Sequence, residues 1–442
     1  MRALKFICAL TLMFGSVTAV GQAKPNLILI SVDTLRQDHL GIYGYKRNTS
    51  PNIDRLLKTG VWFTNAHCNV PLTSPSFSSM MSSRYPHETG STRNGIPMID
   101  GIETLAEILK KQGYTTAAIL SNWPLKKHLS NLQKGFDIYD DNFFEKRWLI
   151  FNSERDAKDV TALSIAWLEQ KPKEPFFLWA HYSDPHSPYL FHKGFLFKEP
   201  DKPDTEIQRK IDAYDSEIAY TDYQIGLLMN KLKEKGLDKT SLIVFLADHG
   251  ESLGEHGYTG HGRYLYEDCM RVPFGLSGPG IPLNQRIDVQ VELLDLAPTC
   301  LGYLGIPHAK LMRGRNLIPF IKDEKPWQKS YLVYFETYPG AVRGEGADKI
   351  VNTKKPIWIG LKLDDLKVLY SVSGSRWEMF NLQSDHKELK NLADPSNQNF
   401  ILYSEHLLKW YRSWEQSIAM GKTDALTEED RKKLEALGYI NK

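Results

Sequence analysis

Short apolar runs alternate with amphipathic stretches along the first three quarters of the chain. Asn26 to Val32, Thr115 to Leu120, Pro175 to Tyr182 and Ser241 to Ala247 are four such runs. Their length and near-absence of charge predict strands buried on both faces. Between them, Thr104 to Gln112, closed by Gly113, and the long segment Glu206 to Lys235 place apolar residues at helical spacing. That alternation builds an α/β domain, a mainly parallel sheet sandwiched by helices. After about Pro319 the period changes to two. Tyr331 to Tyr338, Ile357 to Leu363, Lys367 to Val372 and Arg376 to Asn381 predict a small antiparallel sheet, and helices are expected over Gln398 to Ser417 and Thr427 to Leu437. The expected organisation is a leader over 1–23, a large domain over 24–325 and a smaller C-terminal α+β subdomain over 326–442.

The leader reads as a signal peptide: basic Arg2 and Lys5, an apolar run from Phe6 to Val20, then small residues around Gly21 and Ala23. The run is about 15 residues, shorter than the roughly 20 a spanning helix needs. A periplasmic or secreted protein is expected. Formal charge is +2, and losing Arg2 and Lys5 takes the 55 basic residues to 53, level with the 53 acids. That balance argues against a nucleic-acid partner. It leaves peripheral membrane association open and sets no oligomeric state. Cys68, Cys269 and Cys300 allow at most one disulfide, so the core must carry stability.

Polar residues with chemical potential fall at the ends of the predicted strands, where sites form in open α/β sheets. Asp33 closes the first strand, and Asp248 and His249 follow Ile243 to Ala247. A carboxylate after an apolar run packs poorly, and a metal ion would account for it. Thr73 opens Thr73-Ser74-Pro75-Ser76-Phe77, which reads as a loop entering a helix with Ser74 as N-cap and Pro75 in its first turn. There the helix dipole and free N–H groups favour an anion and an activated hydroxyl. His186 stands between Pro185 and Pro188 on a loop expected to present its imidazole, and His261 lies between Gly260 and Gly262. Either could donate to ester oxygens or to a leaving group.

Taken together, these segments resemble the sulfatase family of the alkaline-phosphatase superfamily, from about Pro25 to the C-terminus. The carrying pieces are Val32-Asp33-Thr34-Leu35-Arg36, the Thr73 region, Ser183-Asp184-Pro185-His186-Ser187-Pro188, Asp248-His249-Gly250-Glu251, Gly260-His261-Gly262 with Arg271-Val272-Pro273, Leu294 to Thr299, and Trp377 to Leu382. The resemblance implies metal ligation by Asp33, Asp248, His249 and Thr73. It makes Thr73 the nucleophile, and His186 and His261 its catalytic partners at the ester oxygens. Sulfatases of this family carry a Cys or Ser, any residue, Pro, any residue and Arg, the first of which is oxidised to formylglycine. This chain has Thr73 and Phe77 at those positions. Their second N-terminal acid is here Thr34, and their Lys and His pair aligns with Asn122 and Pro124.

These departures point to a threonine-nucleophile variant. A hydrated aldehyde can eliminate bound sulfate, whereas a threonyl ester must be hydrolysed by water, a displacement familiar at phosphorus. A phosphoester is therefore the favoured substrate on chemistry, with a true sulfatase acting on sulfated sugars or aryl esters as the alternative. A catalytically dead binder of anionic ligands is the second alternative. The expected cofactor is one divalent ion, Mn, Zn or Ca, and a second ion on Asp184, His186 and His261 is conceivable. Asn122 and Asp184 are candidate substrate-binding residues. The substrate is expected to be a small-molecule, glycan or lipid ester.

Overall fold

A computed structural model describes residues 24–142, 154–197, 204–328, 330–338, 355–419, 427–429 and 432. Its centre is an eight-stranded sheet. In chain order the strands are β1 (Asn26–Val32), β2 (Gly60–Phe63), β3 (Thr115–Ile119), β4 (Ile138–Asp140), β5 (Phe176–Tyr182), β6 (Ser241–Ala247), β7 (Phe274–Ser277) and β8 (Gln285–Ile287). Across the sheet they run β8-β2-β7-β6-β1-β5-β3-β4. Only β7 is antiparallel to its neighbours. The predicted strands β1, β3, β5 and β6 are all present and occupy the middle of the sheet, because their unbroken apolar sequences can be buried on both faces. Strands β2, β4, β7 and β8 had no clear sequence signal: each has four residues or fewer and lies towards an edge.

Helices cover the sheet. Besides α1 (Pro51–Lys58) and α2 (Thr73–Ser82), the principal ones are α3 (Ala157–Glu169), α4 (Glu206–Glu234) and α5 (Leu296–Tyr303). A C-terminal antiparallel subdomain follows, as expected from the sequence. That subdomain contains β9 (Val333–Thr337), β10 (Trp358–Leu363), β11 (Leu366–Ser371) and β12 (Arg376–Asn381), paired in sequence order. Helix α6 (Gln398–Trp414) lays Phe400, Leu407, Tyr411 and Trp414 against Ile359, Leu361, Val368 and Met379, forming a second apolar core. The leader and most of the helix expected over Thr427 to Leu437 lie outside the described residues. Cys68, Cys269 and Cys300 are buried and free.

The seam between the two units contains a buried charge cluster. Lys367 Nζ, wholly enclosed, lies 2.9 Å from Glu267 Oε1 and 2.9 Å from Glu388 Oε1. Glu267 also meets His67 Nε2 at 3.0 Å. One ammonium therefore faces two carboxylates. Burial pushes Glu388 up to about 8 despite the pull of Lys367, while Glu267 is held well below its ordinary range, its burial outweighed by Lys367 and His67. Removing the cation would take from Glu388 its ion-pair partner and from Glu267 the largest of its compensating charges. Lys367→Ala is expected to cost about 3 kcal/mol of unfolding free energy, measured by urea denaturation, and a loss below about 1 kcal/mol would show the seam to be no tighter than a surface ion pair.

Candidate active site

The carboxyl ends of β1, β5 and β6, adjacent at the centre of the sheet, converge on one enclosed cluster. Asp33 follows β1, and Thr34 turns the chain away with φ of 55°, a left-handed conformation unusual for a β-branched residue. The turn is braced: the Thr34 N–H donates to Asp248 Oδ1 at 3.3 Å and its hydroxyl to the Asp33 carbonyl at 2.8 Å. From β6, His249 donates its own N–H to Asp248 Oδ1 at 2.9 Å. Thr73 sits in the first turn of α2, where helix N–H groups and the dipole favour negative charge. Its Oγ1 lies 3.5 Å from Asp33 Oδ2 and 3.5 Å from His249 Nε2. His249 Nε2 is 3.6 Å from Asp33 Oδ1 and 3.5 Å from Asp248 Oδ2.

Two carboxylates side by side without water are electrostatically costly. Burial pushes Asp33 up to about 7, with His186 acting against the rise and Glu154 and Glu251 adding to it. Burial and then the charge of Asp33 carry Asp248 well above its usual range. Asp33 Oδ1 and Asp248 Oδ2 are buried and accept no hydrogen bond. Ligand atoms from Asp33, Asp248 and His249 all lie within 4.8 Å of one another. His249 Nδ1 is 2.9 Å from the Gly250 carbonyl, a partner that puts the proton on Nδ1 and frees Nε2 as a lone pair. Orphaned acceptors and an aimed imidazole fit a divalent cation.

His186 and His261 close the other side, and the structure corrects the expectation that His186 is presented on an open loop: it is only 3% exposed. Each imidazole is steered by a carboxylate. His186 Nδ1 is 3.0 Å from Glu154 Oε1, and His261 Nδ1 is 3.2 Å from Glu251 Oε1. The His261 ring lies 4.4 Å from that of His249 and 5.2 Å from that of His186. Burial opposes charge on His186, but the hydrogen bond and charge of Glu154, reinforced by Asp33 and Glu251, raise it to about 10. His261 is driven well below its ordinary value by burial and by His186. The two rings are thus pushed in opposite directions, His186 toward its charged form and His261 toward its neutral one. Glu154 had no sequence signal, being an isolated acid outside every recognisable segment, whereas Glu251 stood inside Asp248-His249-Gly250-Glu251 with no role attached.

Two further expectations change. Ser74 does not cap α2: the cap position is Leu72, and the Ser74 N–H and hydroxyl both donate to Asn94 Oδ1 at 2.9 Å. Asn122 donates its amide to Asp33 Oδ2, which places it in the cluster beside the carboxylate. Asp184 does not gather with His186 and His261 as a second ion would require. Its Oδ1 accepts the Ala157 N–H at 3.2 Å at the start of α3, and its carboxylate groups with His192 and Glu217. Phe77, at the position of the sulfatase arginine, is wholly buried, its ring 4.8 Å from Trp179 and 4.9 Å from His181.

Sheet, strand-end cluster and C-terminal subdomain together define an ester hydrolase of the alkaline-phosphatase type. More narrowly, the chain belongs to the sulfatase family, whose model matches residues 25–306, and residues 254–409 match the C-terminal region of N-sulphoglucosamine sulphohydrolase. An ulvan-active sulfatase of Formosa agariphila is 26% identical over 69% of this chain and 66% of its own length, just under two thirds of that relative. A Δ4,5-hexuronate-2-O-sulfatase of Bacteroides thetaiotaomicron is 25% identical over 89% of this chain and 90% of its own. The crystal structure of a phosphonate monoester hydrolase from Agrobacterium radiobacter superposes with a TM-score of 0.74 at 21% identity, covering 92% of this chain and 99% of that one. The sequence relatives favour the sulfate-ester alternative over the phosphoester first choice.

The pH dependence of metal binding follows from the cluster. An acid whose folded pKa is raised, as Asp33 is to about 7, binds its proton more tightly when folded. The metal-free chain therefore loses stability as pH climbs from about 4 through about 7. A cation competes with that proton, so its affinity rises over the same window. Manganese is expected to raise the melting temperature more at pH 8 than at pH 5, by an amount equivalent to roughly 2.7 kcal/mol at a hundred times its dissociation constant. Equal or absent shifts in thermal scans at the two pH values would show that ionised Asp33 does not bind the ion.

Proposed function

We propose that this protein is an exported, metal-dependent sulfatase-family hydrolase that uses Thr73 as its nucleophile on a sulfate ester of a sugar. The observation that supports it most directly is the position of Thr73 Oγ1, 3.5 Å from both Asp33 and His249 at the start of α2. The sugar comes from the sulfated-carbohydrate enzymes among its relatives. Asp33, Asp248 and His249 would hold the cation, which supplies positive charge to lower the hydroxyl pKa and screen the anionic ester. Asp33 Oδ2 is the nearest carboxylate to the Thr73 hydroxyl and can take its proton. Thr73 Oγ1 then attacks sulfur in line, and the sugar hydroxyl leaves. His186, carrying charge, binds non-bridging oxygens or protonates the departing oxygen. Neutral His261, fixed by Glu251, is suited to take a proton from the water that cleaves the threonyl ester.

A phosphate or phosphonate ester is the second reading, favoured by one observation: the position of the sulfatase arginine is an aromatic core residue, Phe77, and Thr73 cannot become an aldehyde. Both readings share the nucleophile and differ in the second displacement. The test is turnover of p-nitrophenyl sulfate, p-nitrophenyl phosphate, bis-p-nitrophenyl phosphate and a sulfated disaccharide by manganese-loaded protein. Thr73→Ala is expected to lower kcat by roughly 10⁴-fold or more on whichever ester is best. Mass spectrometry of a rapidly quenched reaction should place the transferred group on the Thr73 peptide. Turnover that survives in Thr73→Ala would dismiss the threonine mechanism, and dominant phosphoester turnover would select the second reading.

A further inference from the structure

A buried hydrogen-bonded chain leads from the sheet interior to Asp33. Trp179 and His181 are two apart on β5 and so project to the same face. Ser31 on β1 is paired in register with His181. The Trp179 indole N–H donates to Ser31 Oγ at 2.9 Å, and Ser31 Oγ lies 2.9 Å from His181 Nδ1. An indole nitrogen can only donate, so Ser31 accepts there and has its own proton to give. His181 Nδ1 is the acceptor in reach. A neutral imidazole that accepts at Nδ1 carries its hydrogen on Nε2. That Nε2 is wholly buried, has no hydrogen-bond partner, and lies 4.0 Å from Asp33 Oδ2. The ring is held edge-on against Phe77, 4.9 Å away at 83°.

The two oxygens of Asp33 therefore face different company. Oδ2 meets the Asn122 amide, the Thr73 hydroxyl and His181 Nε2, whereas Oδ1 has no donor and faces His249 Nε2 at 3.6 Å. From this arrangement we infer that His181 is a positioning residue: its Nε2–H, fixed by the Trp179–Ser31 chain and 4.0 Å from Asp33 Oδ2, beyond hydrogen-bond length, acts on that oxygen through its dipole and leaves Oδ1 as the oxygen free for a cation. Phe77 takes part as the wall that holds the imidazole edge in place. A partner that orients a ligating carboxylate typically changes metal affinity by 10–100-fold when removed. The inference rests on the reading of Asp33, Asp248 and His249 as a metal site, and its test separates the two.

The full-length metal-free chain, labelled with ¹⁵N at histidine, is first examined by long-range ¹H–¹⁵N correlation, which needs no metal. His181 is expected to be the Nε2–H tautomer, and a proton on Nδ1 would overturn the proposal whatever the metal does. Manganese affinity is then titrated by calorimetry in the wild type, His181→Leu and His181→Gln, with circular dichroism to confirm the fold. His181→Leu should bind about 10–100-fold more weakly, and His181→Gln, whose amide can reach the Nε2 position, should recover most of the loss. Unchanged affinity in folded His181→Leu, or no recovery in His181→Gln, would overturn it. A second histidine nitrogen in the pulsed EPR spectrum of bound manganese, beyond that of His249, would make His181 a direct ligand and also overturn it. Absence of manganese binding by the wild type would refute the metal-site reading and this proposal with it, whereas an Nδ1 proton on His181 in a chain that binds manganese would overturn this proposal alone.

Discussion

The arrangement around Thr73 depends on the confinement of two carboxylates, Asp33 and Asp248, in a volume closed to water. Each would be stable alone at the surface, and together in the interior they repel and are poorly solvated. The surroundings answer that cost in an ordered way. Backbone N–H groups of Thr34 and His249 both donate to Asp248 Oδ1, and Asn122 donates to Asp33 Oδ2. One oxygen of each acid is left without a donor, and both of these lie near His249 Nε2. A compensating positive charge has one natural place to go. The left-handed Thr34 belongs to the same solution, since that turn points its N–H at Asp248 while the strand end delivers Asp33.

Histidines surround this cluster with distinct electrostatic characters: Glu154 raises His186 against its burial, while burial and then the neighbouring His186 lower His261. The contrast gives the site both an anion-binding group and a base without any difference in residue type. It also explains why Glu154 matters as much as the imidazole it steers. The C-terminal subdomain closes against the region that follows α2. Glu336 on β9 lies 3.1 Å from His87 Nδ1, and His87 stacks on Trp414 at 3.9 Å. The small sheet is thus packed onto the catalytic unit.

Much of this was legible in the sequence, and the limits have physical causes. Central strands announced themselves because burial on both faces forces continuous apolar sequence, as in Ser241 to Ala247. Short strands such as Gly60–Phe63 carry too few residues to show a period. Asp33, Thr73, Asp248 and His249 stood out because polar groups at the end of apolar strands, or at a helix start, have no packing rationale, and the structure brings them together. Glu154 was invisible: it reaches His186 only through tertiary structure, 32 positions away in sequence and with no local pattern. Asp184 was over-read for the opposite reason, since it stands in a recognisable segment yet its carboxylate serves a helix start. The Ser74 cap failed because Asn94, twenty residues away, took its two hydrogens.

Phe77 bears on how this protein could have arisen from, or could revert to, an aldehyde-dependent ancestor. Restoring cysteine at 73 would not suffice, because the arginine of the family pattern would still be lacking. Arginine at 77 would place a guanidinium in a fully enclosed slot between Trp179 and His181, whose neighbours are already committed to Ser31. Each single step is unfavourable without the other and without repacking β5. The side chain at 77 is therefore tied to β5: a guanidinium there would require Trp179 and His181, and with them Ser31, to move together.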